Sequence, residues 1–314
     1  MRSPFTGLIA APFTPFKPNG RLNLDLIPRL AGLLVAQGVR GAFVCGTTGE
    51  GSSMTLEERM QVAEAWKRAA PAGLAVIVHV GHNCVDDSRA LAAHAEEIGA
   101  DAIGAAPPSF FRPSLPALVD VCSAIASAAP NLPFYYYHIP VMTGVDVAMA
   151  DFLKAAADRI PNLAGVKFTH ENLLDYGNAR AVLDERFDLL FGRDEILLSA
   201  LTLGAKGAVG STYNYAGLLY RDIIRAHENG DAETARKLQQ KSMQFITTFC
   251  RFGGVNAGKA IMKLCGFDCG PVRLPMKSLT PEACERLGEE LRAQGFFEFA
   301  ASPALLDATP AAAN

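Results

Sequence analysis

Lys167 closes the apolar run Leu163, Ala164, Gly165 and Val166, where an ammonium group is expensive to bury. At the end of a strand such a side chain ordinarily snorkels to water. Held among apolar walls instead, its charged form is disfavoured, and part of it becomes a free amine at neutral pH. A free amine attacks ketones. The resulting Schiff base gives an iminium that withdraws electrons from the neighbouring carbon, so a carbon–carbon bond can break or form without a metal or a nucleotide.

This chemistry needs a proton shuttle, and the phenol of Tyr137 in FYYYH can act as one if its hydroxyl reaches the reacting bond. Strand alternation puts Tyr135 and Tyr137 on one face and Tyr136 on the other, although an aromatic strand packed on helices accounts for the same residues. In GTTGE (Gly46 to Glu50), Thr47 and Thr48 read equally as an ordinary turn or as a small anion nest for a carboxylate. Asp194 and Glu195 in GRDE fit an N-cap with a first-turn acid, or acceptors for sugar hydroxyls.

These residues need elements that bring them together. Short apolar runs alternate with longer amphipathic stretches, the mark of repeated βα units. Strands are expected at GLIAA from Gly7, GAFVC from Gly41, LAVIVHV from Leu74, DAIGAA from Asp101, PFYYY from Pro133, LAGVK from Leu163, FDLLF from Phe187 and GAVG from Gly207. Between them lie helical patterns such as Leu56 to Ala70, with Thr55 and Glu58 spaced as a capping box, and Asp86 to Ile98. Eight such strands predict an α/β chain folded as a (β/α)8 TIM barrel with a C-terminal helical extension. A doubly wound sheet would open on a Gly-rich nucleotide loop, and no such pattern precedes a helix here.

In a barrel of this kind, reactive groups belong at the C-terminal ends of the strands. Tyr137, Lys167, GTTGE, GRDE and GSTYN (Gly210 to Asn214) all fall there. After Gly210 the pattern turns helical, from Ala216 to Asn229, from Ala232 to Arg251 and again near Met262 and Glu282. The expected division is a catalytic barrel over 1–229, a helical region over 230–300 and an Ala/Pro-rich disordered tail over 301–314.

A formal net charge of -3 with scattered basic residues argues against nucleic acid or an anionic membrane and for a small-molecule substrate. Pro4, Pro12 and Pro15 interrupt the N-terminal stretch before a signal h-region can form, so the expected location is cytoplasmic. Seven cysteines, mostly within apolar runs, read as reduced thiols. His79 with His82, and Cys265 with Cys269, lack a second ligand pair at conventional spacing, so no metal site is expected. His79 reads as the close of a buried strand.

GTTGEG, YYYHIPVMTG, GVKFTHENL, FGRDE and GAVGSTYNY together resemble the N-acetylneuraminate lyases, or sialic acid aldolases, within the dihydrodipicolinate synthase superfamily of pyruvate-dependent class I aldolases. The resemblance runs from about Pro4 to about Phe296. It implies a (β/α)8 barrel, usually a homotetramer, with no cofactor beyond the Schiff base. It implies Lys167 as the Schiff-base lysine, Tyr137 as the proton shuttle, and Thr47 and Thr48 as holders of the pyruvate carboxylate. Thr169, Gly192, Asp194, Glu195 and Ser211 would line the pocket for the sugar-derived part.

Two departures separate the relatives. Dihydrodipicolinate synthases carry an arginine where this chain has Met142, and a thioether cannot bind a carboxylate as a guanidinium does. They also carry a tyrosine pair where this chain has Phe110 and Phe111. Both changes fit a lyase cleaving N-acetylneuraminate to N-acetylmannosamine and pyruvate. The competing readings are another pyruvate-dependent aldolase, dehydratase or synthase acting on a different 2-keto acid, and a sugar-binding barrel without catalysis. Arg193 receives no role from the sequence.

Overall fold

Eight short parallel strands close into a barrel in chain order: β1 (Gly7–Ala10), β2 (Gly41–Val44), β3 (Ala75–His79), β4 (Ala102–Ala105), β5 (Phe134–His138), β6 (Leu163–Phe168), β7 (Asp188–Phe191) and β8 (Gly207–Gly210). β8 pairs back onto β1, so no edge is left open. The computed structural model describes residues 5–182 and 187–308. Each expected strand is present. The (β/α)8 TIM barrel with C-terminal helices is the fold of this chain.

Alternation sorts the side chains into two cores. Ile9, Phe43, Ile77, Tyr135, Tyr137, Leu190 and Val209 fill the barrel interior. Their strand neighbours, such as Val44, Val78, Tyr136, Val166 and Phe191, face outward into a continuous layer beneath the helices. Tyr136 accordingly packs its ring 4.5 Å from Phe152, whereas Tyr137 turns to the interior, where its ring meets Phe43 edge-on at 5.4 Å.

The helix after β2 runs Leu56–Ala69, and its capping box forms in full: Glu58 N–H donates to Thr55 Oγ1 at 3.2 Å, and Thr55 N–H to Glu58 Oε2 at 3.1 Å. Such a cap contributes about 1 kcal/mol. The helix expected over Asp86 to Ile98 spans Val85–Glu97. The helix after β8 begins at Tyr213, earlier than the expected Ala216, because the chain turns straight off the strand and kinks at Ala216 (φ -127°) before continuing to Glu228.

β6 departs from regular pairing. Phe134 pairs with Leu163 but Tyr135 pairs with Gly165, so Ala164 is an extra residue against β5. Such a bulge shifts the inward and outward sets of everything that follows it. With uninterrupted pairing, Tyr137 would face Val166. The bulge instead makes Lys167 the partner of the inward-facing Tyr137 and turns the lysine to the interior beside it. The backbone there is close: a Cβ on Gly165 would stand 2.0 Å from the carbonyl oxygen of Asp188.

Helices Ala232–Arg251, Val255–Leu264 and Pro281–Ala293 follow the barrel and pack against its last helix and one another. Of the span expected as a tail, residues 301–308 are described. Ala301 is buried and donates its N–H to Tyr215 O at 2.7 Å, and a short helix, Ala304–Ala308, lies on helix Ile27–Ala36. The rest of the expected tail, 309–314, lies outside the described residues. No helix among the described residues is long and apolar enough to cross a membrane.

Candidate active site

Lys167 is 3 % exposed, and its Nζ lies 3.6 Å from the centroid of the Tyr137 ring and 4.1 Å from that of Phe43. Burial pushes its ammonium below the ordinary lysine range, opposed by the Tyr137 phenol and the Asp194 carboxylate. The side chain therefore does not snorkel to water. It reaches a cavity of about 170 Å³ at the C-terminal mouth of the barrel, where Thr47, Thr48, Tyr137, Thr169, Gly192, Asp194, Glu195 and Ser211 also lie. All nine residues singled out in the sequence share this cavity.

The loop after β2 supplies the two threonines. Thr47 Oγ1 and the Tyr137 hydroxyl are 3.3 Å apart, either able to donate, which fixes the phenol beside the amine. The Thr47 and Thr48 amides donate to no protein acceptor among the described residues. Adjacent free N–H groups are what an anion nest requires, so the geometry favours the nest over a plain turn.

Asp194 does not cap a helix. Its Oδ2 accepts the Thr212 N–H at 3.0 Å and the Thr212 hydroxyl at 2.6 Å, tying the turn after β7 to the one after β8. Burial raises its carboxyl to about 6, against the lowering effect of the Thr212 hydrogen bonds. Gly210 makes this approach possible, since a Cβ there would stand 2.0 Å from Asp194 Oδ1. Gly192 plays a similar part beside Thr169, whose buried Oγ1 has no hydrogen-bond partner among the described residues.

Arg193 holds the rim together. Its Nη2 donates to Glu171 Oε2 at 2.8 Å, and its Nε is 3.5 Å from Glu195 Oε1. An arginine set between two glutamates balances charge at the mouth and orients Glu195.

Among the described residues no group of three or more His, Cys, Asp or Glu side chains is placed to hold a metal. His79 closes β3 with both ring nitrogens engaged, Nδ1 at 3.2 Å from Cys45 O and Nε2 accepting the Ala106 N–H at 3.2 Å. Burial first, then Arg59 and Lys167, hold its imidazole well below the ordinary histidine range. Cys265 and Cys269 are buried, free thiols.

The sequence profile of the Dihydrodipicolinate synthetase family matches residues 4–294 of this chain. The chain belongs to that family. Relatives more than 40 % identical to it carry the name N-acetylneuraminate lyase, while a solved dihydrodipicolinate synthase of Cyanidioschyzon merolae superposes with a TM-score of 0.87 at 27 % identity. The chain is 43 % identical over 312 residues to the lyase of Mus musculus, covering 98 % of this chain and 97 % of the mouse protein. It is 47 % identical over 277 residues to that of Xenopus tropicalis, covering 87 % and 90 %. The solved N-acetylneuraminate lyase of Proteus mirabilis superposes with a TM-score of 0.91 at 40 % identity, covering 94 % of this chain and 100 % of that one.

In this family member the cavity has one wall the sequence did not point to. Ile246, Phe249 and Cys250 line it from helix Ala232–Arg251, which belongs to the C-terminal helices. Their spacing of three and four places them on one face of the helix, but that spacing marks any packed helix. The same helix braces the turn that carries Asp194, for Gln239 donates to Asp194 O at 3.2 Å and accepts the Leu198 N–H at 2.8 Å.

Proposed function

We propose that this chain is a class I aldolase that reversibly cleaves N-acetylneuraminate to N-acetylmannosamine and pyruvate. The observation that carries the reading is the buried Lys167 amine beside the Tyr137 phenol, in a cavity that also holds Thr47, Thr48 and the carboxylates of Asp194 and Glu195. Family membership and the mouse, frog and Proteus relatives support the substrate.

The carboxylate of the open-chain sugar acid rests on the Thr47 and Thr48 amides and hydroxyls, and Lys167 attacks the adjacent ketone. Loss of water gives the iminium. Tyr137 then takes the proton of the hydroxyl borne by the far carbon of the breaking bond, which becomes the aldehyde carbon. The electrons of that carbon–carbon bond move into the iminium, leaving an enamine, and the aldehyde departs as N-acetylmannosamine. Protonation of the enamine and hydrolysis of its carbon–nitrogen bond release pyruvate and restore the lysine. The protonated Schiff base is the electron sink, so the reaction uses no cofactor.

Thr169, Asp194, Glu195 and Ser211 accept or donate to the hydroxyls of the sugar-derived part, and Gly192 leaves room for it. Met142 supports a polyol over a second carboxylate, because no guanidinium stands at that position. The working form is a cytoplasmic homotetramer. Free, mostly buried cysteines support a reducing compartment. Exposed Phe110 and Phe111, on the loop after β4, and Val141 and Met142, in the short helix Pro140–Thr143 after β5, supply apolar surface for contact between copies.

Borohydride trapping followed by peptide mass spectrometry tests the reading. Pyruvate and N-acetylneuraminate should each leave a reduced pyruvate adduct on the Lys167 peptide, and Lys167→Ala should abolish both adducts in a folded protein. An adduct from pyruvate alone moves the substrate elsewhere, and none from either removes the aldolase.

A further inference from the structure

The loop that carries Thr47 and Thr48 is held by groups with no part in the chemistry above. Cys45 (φ 59°) and Glu50 (φ 55°) bracket it, and they are the two non-glycine residues at positive φ among those described. Backbone in this region persists only where its surroundings enforce it. Inside the bracket, the Glu50 N–H donates to Thr47 O at 3.1 Å and the Gly51 N–H to Gly46 O at 3.1 Å, so the position of Glu50 sets the shape of the turn.

Glu50 is itself fixed from far along the chain. Its carboxylate is buried, with Oε1 2.6 Å from Lys259 Nζ and Oε2 accepting the Arg273 N–H at 2.8 Å. Lys259, from helix Val255–Leu264, is 4 % exposed, donates to Pro271 O at 2.8 Å and lies 4.2 Å from the Phe16 ring centroid. A buried ion pair adds little stability over apolar residues of similar volume, so such a pair is better explained by the geometry it imposes.

We infer that Glu50 and Lys259 are positioning residues for the pyruvate carboxylate, the pair reaching from the C-terminal helices to hold the Thr47–Thr48 turn with its free amides aimed at the substrate. Neither touches the reacting atoms. The inference rests on the reading of Lys167 as the Schiff-base lysine.

Lys259→Met alone strands a buried carboxylate and endangers the fold, so the deciding variant is Glu50→Gln with Lys259→Met, which removes both charges. The measurements are the pyruvate dependence of borohydride trapping on Lys167, the thermal midpoint, and the KM for N-acetylmannosamine in the synthetic direction. The folded double variant should need about tenfold more pyruvate for half-maximal trapping. Its KM for N-acetylmannosamine should stay within about twofold of the unaltered enzyme. Lys259→Arg, which keeps the charge, should recover most of the loss. An unchanged pyruvate dependence in the folded double variant overturns the inference. So does a double variant that cannot fold, since the pair then serves the whole structure. Absence of trapping in the unaltered enzyme is a distinct result, which removes the Schiff-base reading beneath it.

Discussion

Lys167 and Tyr137 are register partners across β5 and β6, and the lysine nitrogen stands 3.6 Å from the centroid of the tyrosine ring. The proposed nucleophile and a phenol hydroxyl thus stand on neighbouring strands, facing the same way. Rigid strands hold such a pair more tightly than loops would.

Tyr137→Phe keeps the ring that packs on Lys167 and Phe43 and removes only the hydroxyl that sits 3.3 Å from Thr47 Oγ1. If that hydroxyl carries the proton, the variant should still trap pyruvate on Lys167 at near-normal concentrations. Cleavage of N-acetylneuraminate should slow by about 10²- to 10⁴-fold, the range for loss of a general acid–base group. Comparing kcat with the trapping curve separates the two effects, and equal losses in both would remove the shuttle role.

Asp194 predicts a pH signature with opposite signs for stability and activity. Its carboxyl is raised by burial from 3.8 to about 6, so the folded state holds the proton more tightly than the unfolded chain does. The associated stabilisation is complete below its ordinary value and is lost as pH rises through about 6. Activity runs the other way, because the ionised form is the better acceptor for substrate hydroxyls. The kcat/KM for N-acetylneuraminate should therefore fall as pH drops through about 6. Asp194→Asn should lose that limb, bind the sugar acid more weakly, and melt higher than the unaltered enzyme at pH 8, the last point read by calorimetry.

Much of this arrangement was legible in the sequence because barrel strands announce themselves as short apolar runs and the reactive residue types fall at their ends. FYYYH gave its inward and outward tyrosines by simple alternation, and Thr55 with Glu58 gave a helix start. Three features were not legible. Alternation along LAGVK is silent about the extra residue at Ala164, because a bulge depends on the partner strand. Ile246, Phe249 and Cys250 read as a packed helix face, and only the docking of that helix makes them a cavity wall. Arg193 gained a place only once Glu171 and Glu195 were seen on either side of it.

The bulge makes the sharpest claim about how this sequence produces its site. Lys167 faces the interior because β6 carries one residue more than β5 between their first two pairs, and Gly165 lets β7 approach at that point. In Gly165→Ala the added Cβ would meet Asp188 O at 2.0 Å and the Asp188 carbonyl carbon at 2.8 Å, both backbone atoms of β7. Backbone cannot swing aside as a side chain does, so β6 and β7 must separate or the bulge must move. Forced overpacking of this kind costs about 1–3 kcal/mol, enough to lower the thermal midpoint measurably without unfolding the barrel. The larger effect should fall on Lys167, whose aim depends on the bulge. Borohydride trapping of pyruvate should drop by more than about tenfold, since small misplacements of a nucleophile are costly. A variant that melts early yet traps pyruvate normally would show that the direction of Lys167 is set elsewhere.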